Sequence, residues 1–190
     1  MKIGLYFGSF NPIHNGHLII ANKMYETIGF DEVWFVPSPH NPFKKVNELL
    51  DFSCRLQMIQ ILIEHQKHLK LNAIEDSLPK PSYTIQTIEA LEEMYPKNQF
   101  HIIMGSDILE TLDQWRNYQK LLEKCPIHVY YRPGTDLHSL PAYKNVKVYH
   151  LPLLEISSTS IRKSIQADKS IIGEVDSKIM HLIRTNGWYL

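Results

Sequence analysis

The chain has 190 residues, 44% of them hydrophobic, and its 20 lysines and arginines are balanced by 20 aspartates and glutamates. This length and composition allow a substantial core and predict a single domain over residues 1–190. The balanced charge argues against nucleic acid as a partner, so any anion site must be local.

Short apolar segments with the β-branched and aromatic enrichment of strands recur along the chain. Most of them are too uniformly apolar for a sheet with one face in water, which predicts buried parallel strands. These segments cover residues 2–8, 32–37, 69–74, 100–105, 127–133 and 146–151.

Helical patterns alternate with these strands. Apolar residues recur at spacings of three and four over 18–25, 56–63 and 85–94. Two more helices are predicted at about 158–167 and 173–185, the second of them ended by Asn186-Gly187. The alternation predicts an α/β fold with a doubly wound, mostly parallel sheet that binds ligands at the carboxyl ends of its strands.

The first strand passes into the first helix through GSFNPIHNGH, which begins at Gly8. A doubly wound sheet usually places its phosphate site here. Gly8 is predicted to allow a tight turn, and Gly16 to let backbone N–H groups approach a ligand closely. Asn15 is the predicted N-cap. His14 and His17 would both point above the strand end and add imidazole donors to the helix dipole.

Three interpretations of the two histidines compete. They could be polar groups satisfied within a turn, ligands of a zinc ion, or donors to an anion. A zinc site needs further ligands and would place a cation against the positive end of a helix. The anion interpretation uses every residue type in the turn, and we favour it.

A second unusual segment is ISSTSIRKSI, residues 156–165. Ser157 and Ser158 offer N-cap hydroxyls, and Ile161 and Ile165 form an i, i+4 anchor for a helix. Arg162 would then lie near the start of that helix, where a planar fork of donors suits a triphosphate. Taken alone, the segment is best interpreted as an ordinary capped helix with a surface arginine, and only its pairing with the first motif favours the phosphate interpretation.

Together the two segments resemble the nucleotidyltransferase superfamily with an HxGH motif. The series Gly8-x-Phe10-x-Pro12-x-His14-x-Gly16-His17 is similar to its first signature, and ISSTSIR is similar to the ISSTxIR stretch of its adenylyltransferases. The resemblance implies a Rossmann-like nucleotidyltransferase fold with C-terminal helices. It implies catalytic roles for His14, His17 and Arg162, and ATP contacts from Gly8, Ser9, Phe10, Gly16, Gly105, Asp107, Ser157, Ser158 and Thr159.

The middle of the chain resembles bacterial nicotinate mononucleotide adenylyltransferases. The similar stretches are VWFVPSPHNPFKK, KPSYTIQTIEAL, IIMGSDILETLDQW and YRPG. This resemblance implies transfer of the adenylyl group of ATP to nicotinate mononucleotide, giving nicotinate adenine dinucleotide and pyrophosphate in NAD biosynthesis. It implies direct in-line attack by the acceptor phosphate, with Mg2+ arriving on ATP. Phosphopantetheine adenylyltransferases and cytidylyltransferases fit less well.

The resemblance also implies an acceptor site. Thr84 would present its backbone N–H to the nicotinate carboxylate, Trp115 would stack on the pyridine ring, and Lys44 would approach the acceptor phosphate. Asp107 would accept ribose hydroxyls. The predicted acceptor residues are Lys44, Ser82, Tyr83, Thr84, Trp115 and Arg116.

Two departures from the family pattern affect this site. The loop after the second strand reads Pro42-Phe43-Lys44 where the family commonly has Pro-His-Lys, so we rely on Lys44 and on no histidine there. Arg116 replaces a tyrosine that often follows the tryptophan. It either strengthens the preference for a negatively charged nicotinate or points into solvent.

Alternatives of function stay open at this stage. The acceptor could be nicotinamide mononucleotide, or the enzyme could use both acceptors. A protein from another class would keep the fold and sense nucleotides without catalysis, although both motifs are intact here. The segments that we identify contain no closely spaced carboxylate cluster that would make a dedicated magnesium site.

Cellular location follows from the cysteines and from hydropathy. Cys54 and Cys125 lie far apart without CxxC spacing, which is typical of reduced thiols in an intracellular protein. No apolar stretch approaches the roughly 20 residues that span a bilayer, and the first apolar run breaks at Gly8, unlike a signal peptide. We expect a cytoplasmic protein with no membrane partner, and the sequence is compatible with a homo-oligomer.

Overall fold

A computed structural model describes residues 1–39, 49–136, 141–152 and 155–190. Within them, six parallel strands form one sheet in the order β3-β2-β1-β4-β5-β6. This is the strand order of dinucleotide-binding sheets. The strands are β1 Lys2–Gly8, β2 Glu32–Pro37, β3 Leu69–Leu71, β4 Gln99–Gly105, β5 Ile127–Tyr130 and β6 Val146–Tyr149.

The three helices predicted between strands and the two predicted after the last strand are present, and two further short helices between β4 and β5 were not predicted. They are α1 Asn15–Ile28, α2 Phe52–Ile63, α3 Thr84–Met94, α4 Ser106–Leu109, α5 Tyr118–Lys124, α6 Ser158–Gln166 and α7 Ser177–Asn186, with 3-10 turns at Ile74–Asp76 and Leu112–Gln114. The last helix begins four residues later than predicted, because the Asp176 side chain accepts a hydrogen bond from the Lys178 N–H at 2.8 Å and caps it there. Gly187 ends it in the left-handed conformation (φ 63°).

Two hydrophobic clusters cover the two faces of the sheet. On one face, Ile3 and Leu5 of β1 pack with apolar residues of α3 and α5. On the other face, Tyr6 packs with apolar residues of α1, α2, α6 and α7. The central strands β1, β2, β4 and β5 are mostly apolar on both faces because both faces are buried, and the predicted doubly wound fold is confirmed.

The order in which the chain adds strands to the sheet changes direction between β1 and β4. Strands β2 and β3 lie on one side of β1, and β4, β5 and β6 lie on the other. Strands β1 and β4 are neighbours, with Ile3 opposite Phe100 and Tyr6 opposite Ile103. The connections after them lead to helices that pack in different clusters, α1 on one face and α5 on the other. Such a switch point leaves a crevice beyond the carboxyl ends of the strands, here beyond Gly8 and Gly105.

Helix α6 reaches this crevice from the far end of the chain. Its Ile161 side chain is fully buried in the cluster that also contains Ile13 and Ile20, while Ile165 packs against that cluster. The predicted i, i+4 anchor is therefore present. In the described part of the chain, no helix combines the length and the apolarity needed to cross a membrane.

We predict that this anchor contributes strongly to stability. The change Ile161→Ala should lower the free energy of unfolding by about 2–5 kcal/mol, because it removes a fully buried side chain from a packed core. The same change at Ile172, which is 74% exposed, should cost no more than about 0.5 kcal/mol. Urea unfolding curves of both variants measure this difference, and equal effects would show that α6 is not docked through Ile161.

Candidate active site

The turn between β1 and α1 is built around its histidines. Helix α1 begins at Asn15, and His14 is the extended residue that precedes it. The backbone N–H of His14 donates to Nδ1 of His17 at 3.2 Å. The predicted N-cap, Asn15, is therefore wrong by one residue. The Asn15 side-chain amide instead donates to the Gly173 carbonyl at 2.9 Å, which ties the turn to the segment before α7.

Both glycines of this turn make room for aromatic rings. A Cβ atom added to Gly8 would lie 2.9 Å from the Phe10 ring, and one added to Gly16 would lie 2.9 Å from the His14 imidazole. The left-handed residue of the turn is Phe10, with φ 46°, whereas Gly8 is not among the residues with positive φ. Because the two rings occupy the space beside the glycines, side chains at either position would displace them.

The two imidazoles lie against each other. Their ring centroids are 3.7 Å apart, and the centroid of the His17 ring is 5.1 Å from that of the Phe10 ring. His14 is only 2% exposed, and its Nδ1 atom is buried without a hydrogen-bond partner. Burial, with a smaller effect from the charge of Arg132, lowers the pKa of His14 to about 3. His14 is therefore neutral at pH 7 and can act as a neutral donor to an anion.

Helix α6 docks directly on the turn after β1. The Ser158 hydroxyl donates to the Pro12 carbonyl at 2.9 Å, and Nη1 of Arg162 donates to the Asn11 carbonyl at 2.8 Å. These bonds bring together two motifs that are far apart in sequence. They also give Ser158 a role different from the predicted one, because its hydroxyl holds the neighbouring turn and does not cap its own helix.

The beginning of α6 is a capped helix N-terminus beside the histidines. Ser157 is the N-cap, and its hydroxyl accepts from the Ser160 N–H at 3.0 Å. Thr159 is exposed in the first turn. At the start of α1, the Asn15 N–H donates to the Glu174 carbonyl at 2.8 Å and the His17 N–H to the His14 carbonyl at 2.9 Å. The positive ends of the α1 and α6 dipoles lie close together, because α6 docks on the turn that precedes α1. Such a pair of helix ends is suited to a phosphate chain.

An acidic side chain follows β4 at the same edge of the sheet. Oδ2 of Asp107 accepts from Nη1 of Arg132 at 2.8 Å, while Oδ1 is buried without a partner. Ser106 holds Arg132 in place, since its hydroxyl accepts from the Arg132 N–H at 2.8 Å. A side chain at Gly105 would collide with the Asp107 carboxylate. The unpaired oxygen can accept a hydrogen bond from a sugar hydroxyl.

A cavity of about 370 Å3 opens beyond the carboxyl ends of β1 and β4. Gly8, Gly105 and Tyr6 lie on its sheet side. Tyr6 also connects the cavity to the histidines, since its ring centroid is 6.0 Å from that of His17. The opposite wall contains most of the predicted acceptor residues, Ser82, Tyr83, Thr84, Trp115 and Arg116.

The far wall of the cavity combines a helix end, an aromatic ring and a cation. Helix α3 begins at Thr84, so the Thr84 N–H has no acceptor within the helix, whereas the Gln86 N–H donates to the Tyr83 carbonyl at 2.9 Å. Trp115 is partly buried against the core. The Arg116 guanidinium is exposed at the rim and lies 4.8 Å from the centroid of the Tyr83 ring. This wall can accept a flat ring that carries a negative group.

Comparison with known proteins agrees with this geometry. Residues 5–164 match the cytidylyltransferase-like family. A protein of Flavobacterium johnsoniae named a probable nicotinate-nucleotide adenylyltransferase is 47% identical over 191 residues, covering 100% of this chain and 99% of the relative. A relative of the same name from Cytophaga hutchinsonii is 44% identical, covering 100% of this chain and 98% of its own length.

The chain belongs to the nicotinate-nucleotide adenylyltransferase family. Its fold is also that of a solved structure, Plasmodium falciparum nicotinic acid mononucleotide adenylyltransferase complexed with NaAD. The TM-score is 0.84, with 21% identity and coverage of 99% of this chain and 97% of that one. At this identity the likeness establishes the fold.

The predicted site residues of this family member fall into two neighbouring groups. His14, His17 and Arg162 lie together at the ends of α1 and α6, and the predicted acceptor residues line the adjoining cavity. Lys44 lies outside the described residues, as does the rest of the Pro42-Phe43-Lys44 loop.

Two polar side chains in or beside the cavity were not predicted from the sequence. Glu75 is 3% exposed and accepts hydrogen bonds from the hydroxyls of Ser82 and Thr87, both at 2.9 Å. Burial raises the pKa of Glu75. Arg132 was missed as the partner of Asp107, although its segment YRPG resembles the family. No local pattern in the sequence marks Glu75 as buried or pairs Arg132 with Asp107.

The buried histidine predicts a pH dependence of stability. The pKa of His14 is about 3 in the folded protein and about 6.5 in an unfolded chain. Between these values the unfolded state binds more protons, so stability falls as pH is lowered from about 6.5, by up to about 1.4 kcal/mol per unit. His14→Gln should remove this contribution, as measured by urea unfolding between pH 5 and pH 8.

The matched control for this measurement is His181→Gln, which removes an exposed imidazole from α7. Wild type and both variants share the hydrogen-bonded pair of partly buried His101 and buried His128, for which loss of solvation lowers the pKa to about 4 in each case. A His14→Gln slope equal to that of wild type would contradict the neutral, buried state of His14.

Proposed function

We propose that this protein transfers the adenylyl group of ATP to nicotinate mononucleotide, forming nicotinate adenine dinucleotide and pyrophosphate. One observation carries the proposal: two helix N-termini with His14 and Arg162 lie beside a cavity lined by Thr84 and Trp115. The relatives named for nicotinate-nucleotide adenylyl transfer, at 47% and 44% identity over the whole chain, support it.

The donor nucleotide would lie across the turn after β1. Its triphosphate would bind between the first turns of α1 and α6, where backbone N–H groups and two helix dipoles favour negative charge. His14, His17 and Arg162 would add hydrogen bonds to the phosphates, and Asp107 would accept from ribose hydroxyls through its unpaired oxygen. The other predicted ATP contacts are Gly8, Ser9, Phe10, Gly16, Gly105, Ser157, Ser158 and Thr159.

The acceptor would occupy the cavity. Its pyridine ring would pack against Trp115, and its carboxylate would face the first turn of α3 at Thr84. The Arg116 cation at the rim would favour this carboxylate over a neutral amide. Ser82 and Tyr83 complete the wall, and Lys44 stays a predicted contact to the acceptor phosphate.

The transfer needs one bond formed and one broken. An oxygen of the acceptor 5′-phosphate attacks the α-phosphorus of ATP, and the bond from that phosphorus to the oxygen bridging to the β-phosphate breaks, so pyrophosphate leaves with the electron pair. The attacking phosphate is ionised at neutral pH, so no strong general base is required. Alignment of the two substrates can lower the barrier by about 7–11 kcal/mol.

The protein's main contribution is therefore geometric and electrostatic. Charge that develops on the leaving pyrophosphate faces the positive ends of α1 and α6, the histidines and Arg162. Since His14 is neutral when buried, it acts by donating a hydrogen bond. A nearby phosphate would raise its pKa, because an opposite charge favours the protonated form.

We propose that Mg2+ arrives bound to ATP. In the described ranges, no group of three or more histidine, cysteine, aspartate or glutamate side chains is placed to hold a metal ion. Asp107 offers one carboxylate oxygen, the other being paired with Arg132. These residues fit a metal held mainly by phosphate oxygens. When bound, Mg2+ would neutralise phosphate charge.

We also propose a cytoplasmic location for this activity. Cys54 and Cys125 are both free, and burial raises the pKa of Cys125 to about 12, which keeps its thiol protonated. Reduced thiols are typical of an intracellular protein. The oligomeric state and the absence of a nucleic-acid partner stay predictions.

A direct assay tests the proposed reaction. Purified protein is supplied with ATP and Mg2+ and with nicotinate mononucleotide, nicotinamide mononucleotide or phosphopantetheine, and pyrophosphate release is measured for each. We expect the highest kcat/KM with nicotinate mononucleotide. A higher value with the amide would assign the alternative acceptor, and no release with any of the three would contradict the enzyme assignment.

The role of His17 can be measured separately. His17→Ala should lower kcat by roughly 10²–10³-fold if the imidazole donates to charge that develops in the transition state. His181→Ala, on the exposed side of α7, removes a histidine far from both substrates and should leave kcat unchanged. Circular dichroism checks that both variants fold. An unchanged kcat in His17→Ala would remove His17 from the mechanism.

The contribution of Arg116 should be modest and selective. Since this side chain is exposed, its attraction to a carboxylate is worth up to about 1 kcal/mol, or about fivefold in affinity. Arg116→Ala should therefore lower kcat/KM for nicotinate mononucleotide by up to this factor and leave the value for nicotinamide mononucleotide unchanged. Arg184→Ala, exposed on α7, is the control. Equal losses for both acceptors would show that Arg116 does not read the carboxylate.

A further inference from the structure

Arg55, in the first turn of α2, is a buried cation beside the site. It is 1% exposed, and its guanidinium donates to four backbone carbonyls. Nε bonds to Leu50 at 2.9 Å, Nη1 to Ser9 at 2.7 Å and to Ser38 at 2.8 Å, and Nη2 to Pro39 at 3.1 Å. No carboxylate in the described ranges forms an ion pair with it.

Three of the four carbonyls, those of Ser9, Ser38 and Pro39, belong to segments that serve different substrates in the proposed function. Ser9 follows β1 and begins the turn that leads to His14. Ser38 and Pro39 follow the neighbouring strand β2, and Ser38 also lines the acceptor cavity. The guanidinium of Arg55 therefore joins the donor side of the site to its acceptor side.

Burying the charged guanidinium of Arg55 costs free energy. Burial lowers the pKa of Arg55, which reflects the loss of solvation of the charged form. Carbonyl dipoles and the Phe52 ring, 5.2 Å from the guanidinium carbon, compensate part of that loss. An apolar side chain of similar volume would often be as stable at a buried position. The planar set of donors therefore points to a geometric role.

We propose that Arg55 is a positioning residue that sets the spacing between the two substrates by fixing the backbone after β1 and after β2. The proposal rests on the proposed function. Each segment would keep most of its own substrate contacts without Arg55, but the acceptor phosphate and the α-phosphorus would no longer be aligned. Misplacement by about 1 Å can cost 10²-fold in rate.

The conservative variant Arg55→Lys keeps the charge and loses the planar fork, so it cannot bridge the same carbonyls. We expect kcat to fall by about 10–100-fold, with the KM for ATP and for nicotinate mononucleotide each changed by less than about threefold. Arg184→Lys, exposed on α7, is the matched control. All kinetics are measured well below the unfolding temperature of each variant. A purely structural role would lower that temperature and leave kcat intact.

Chemical rescue adds a readout that instability alone does not give. Arg55→Ala leaves space for a guanidinium ion against the same carbonyls, so millimolar guanidinium chloride should restore part of kcat. Methylammonium chloride and urea at equal concentration should not, and wild type is titrated with all three. Normal kcat in Arg55→Lys would overturn the proposal, as would loss of kcat without guanidinium rescue in a folded Arg55→Ala. If Arg55→Ala does not fold, Arg55→Lys decides the question.

A wild-type assay separates this proposal from the proposed function. Turnover by wild type with unchanged Arg55→Lys kinetics would reject the positioning role alone. If wild type turns over none of the acceptors, hydrogen exchange at the Ser38 N–H, which donates to the Gly8 carbonyl at 3.0 Å, tests the link between the two segments. Faster exchange in Arg55→Lys than in Arg184→Lys supports the link, and equal exchange overturns it.

Discussion

The geometry of the active site depends on the hydrogen bonds that side chains donate to the backbone carbonyls of the irregular turn after β1. After β1 the carbonyls of Ser9, Asn11 and Pro12 accept hydrogen bonds from Arg55, Arg162 and Ser158, which come from α2 and α6. These partners lie far away in the sequence, yet they fix the segment that carries both histidines. Loss of regular hydrogen bonding in the turn is offset by these side chains, because buried carbonyls need donors. The conformation of the turn therefore depends on the packing of α2 and α6 against it.

The electrostatics of the site follow from the same arrangement. The whole chain has no net charge, so attraction for a nucleotide must come from local groups. Buried His14 is neutral, because burial lowers its pKa to about 3. Positive potential comes instead from the N-termini of α1 and α6 and from Arg162, which is held by its hydrogen bond to the Asn11 carbonyl. Fixed dipoles of this kind favour the charge distribution of phosphoryl transfer without large reorganisation.

Much of the fold was predictable because its central strands are mostly apolar on both faces and alternate with amphipathic helices. The position of the anion site was predictable for the same reason, since the first turn of a doubly wound sheet is where phosphates bind. The sequence did not reveal Arg55, Glu75 or Arg132, since their positions depend on hydrogen-bond partners that no local pattern predicts. The N-cap of α1 was also predicted one residue too late. The N-cap is His14, and its backbone N–H donates to the side chain of His17, three residues later.

The central claim is that nucleotide phosphates bind between α1 and α6 while the acceptor ring lies in the adjoining cavity. A crystal structure with a non-hydrolysable ATP analogue and nicotinate mononucleotide tests it most directly. We predict phosphate oxygens within hydrogen-bond distance of His14, His17 and Arg162, and a pyridine ring against Trp115. A triphosphate bound away from both helix N-termini, or an acceptor ring outside the cavity, would contradict the account.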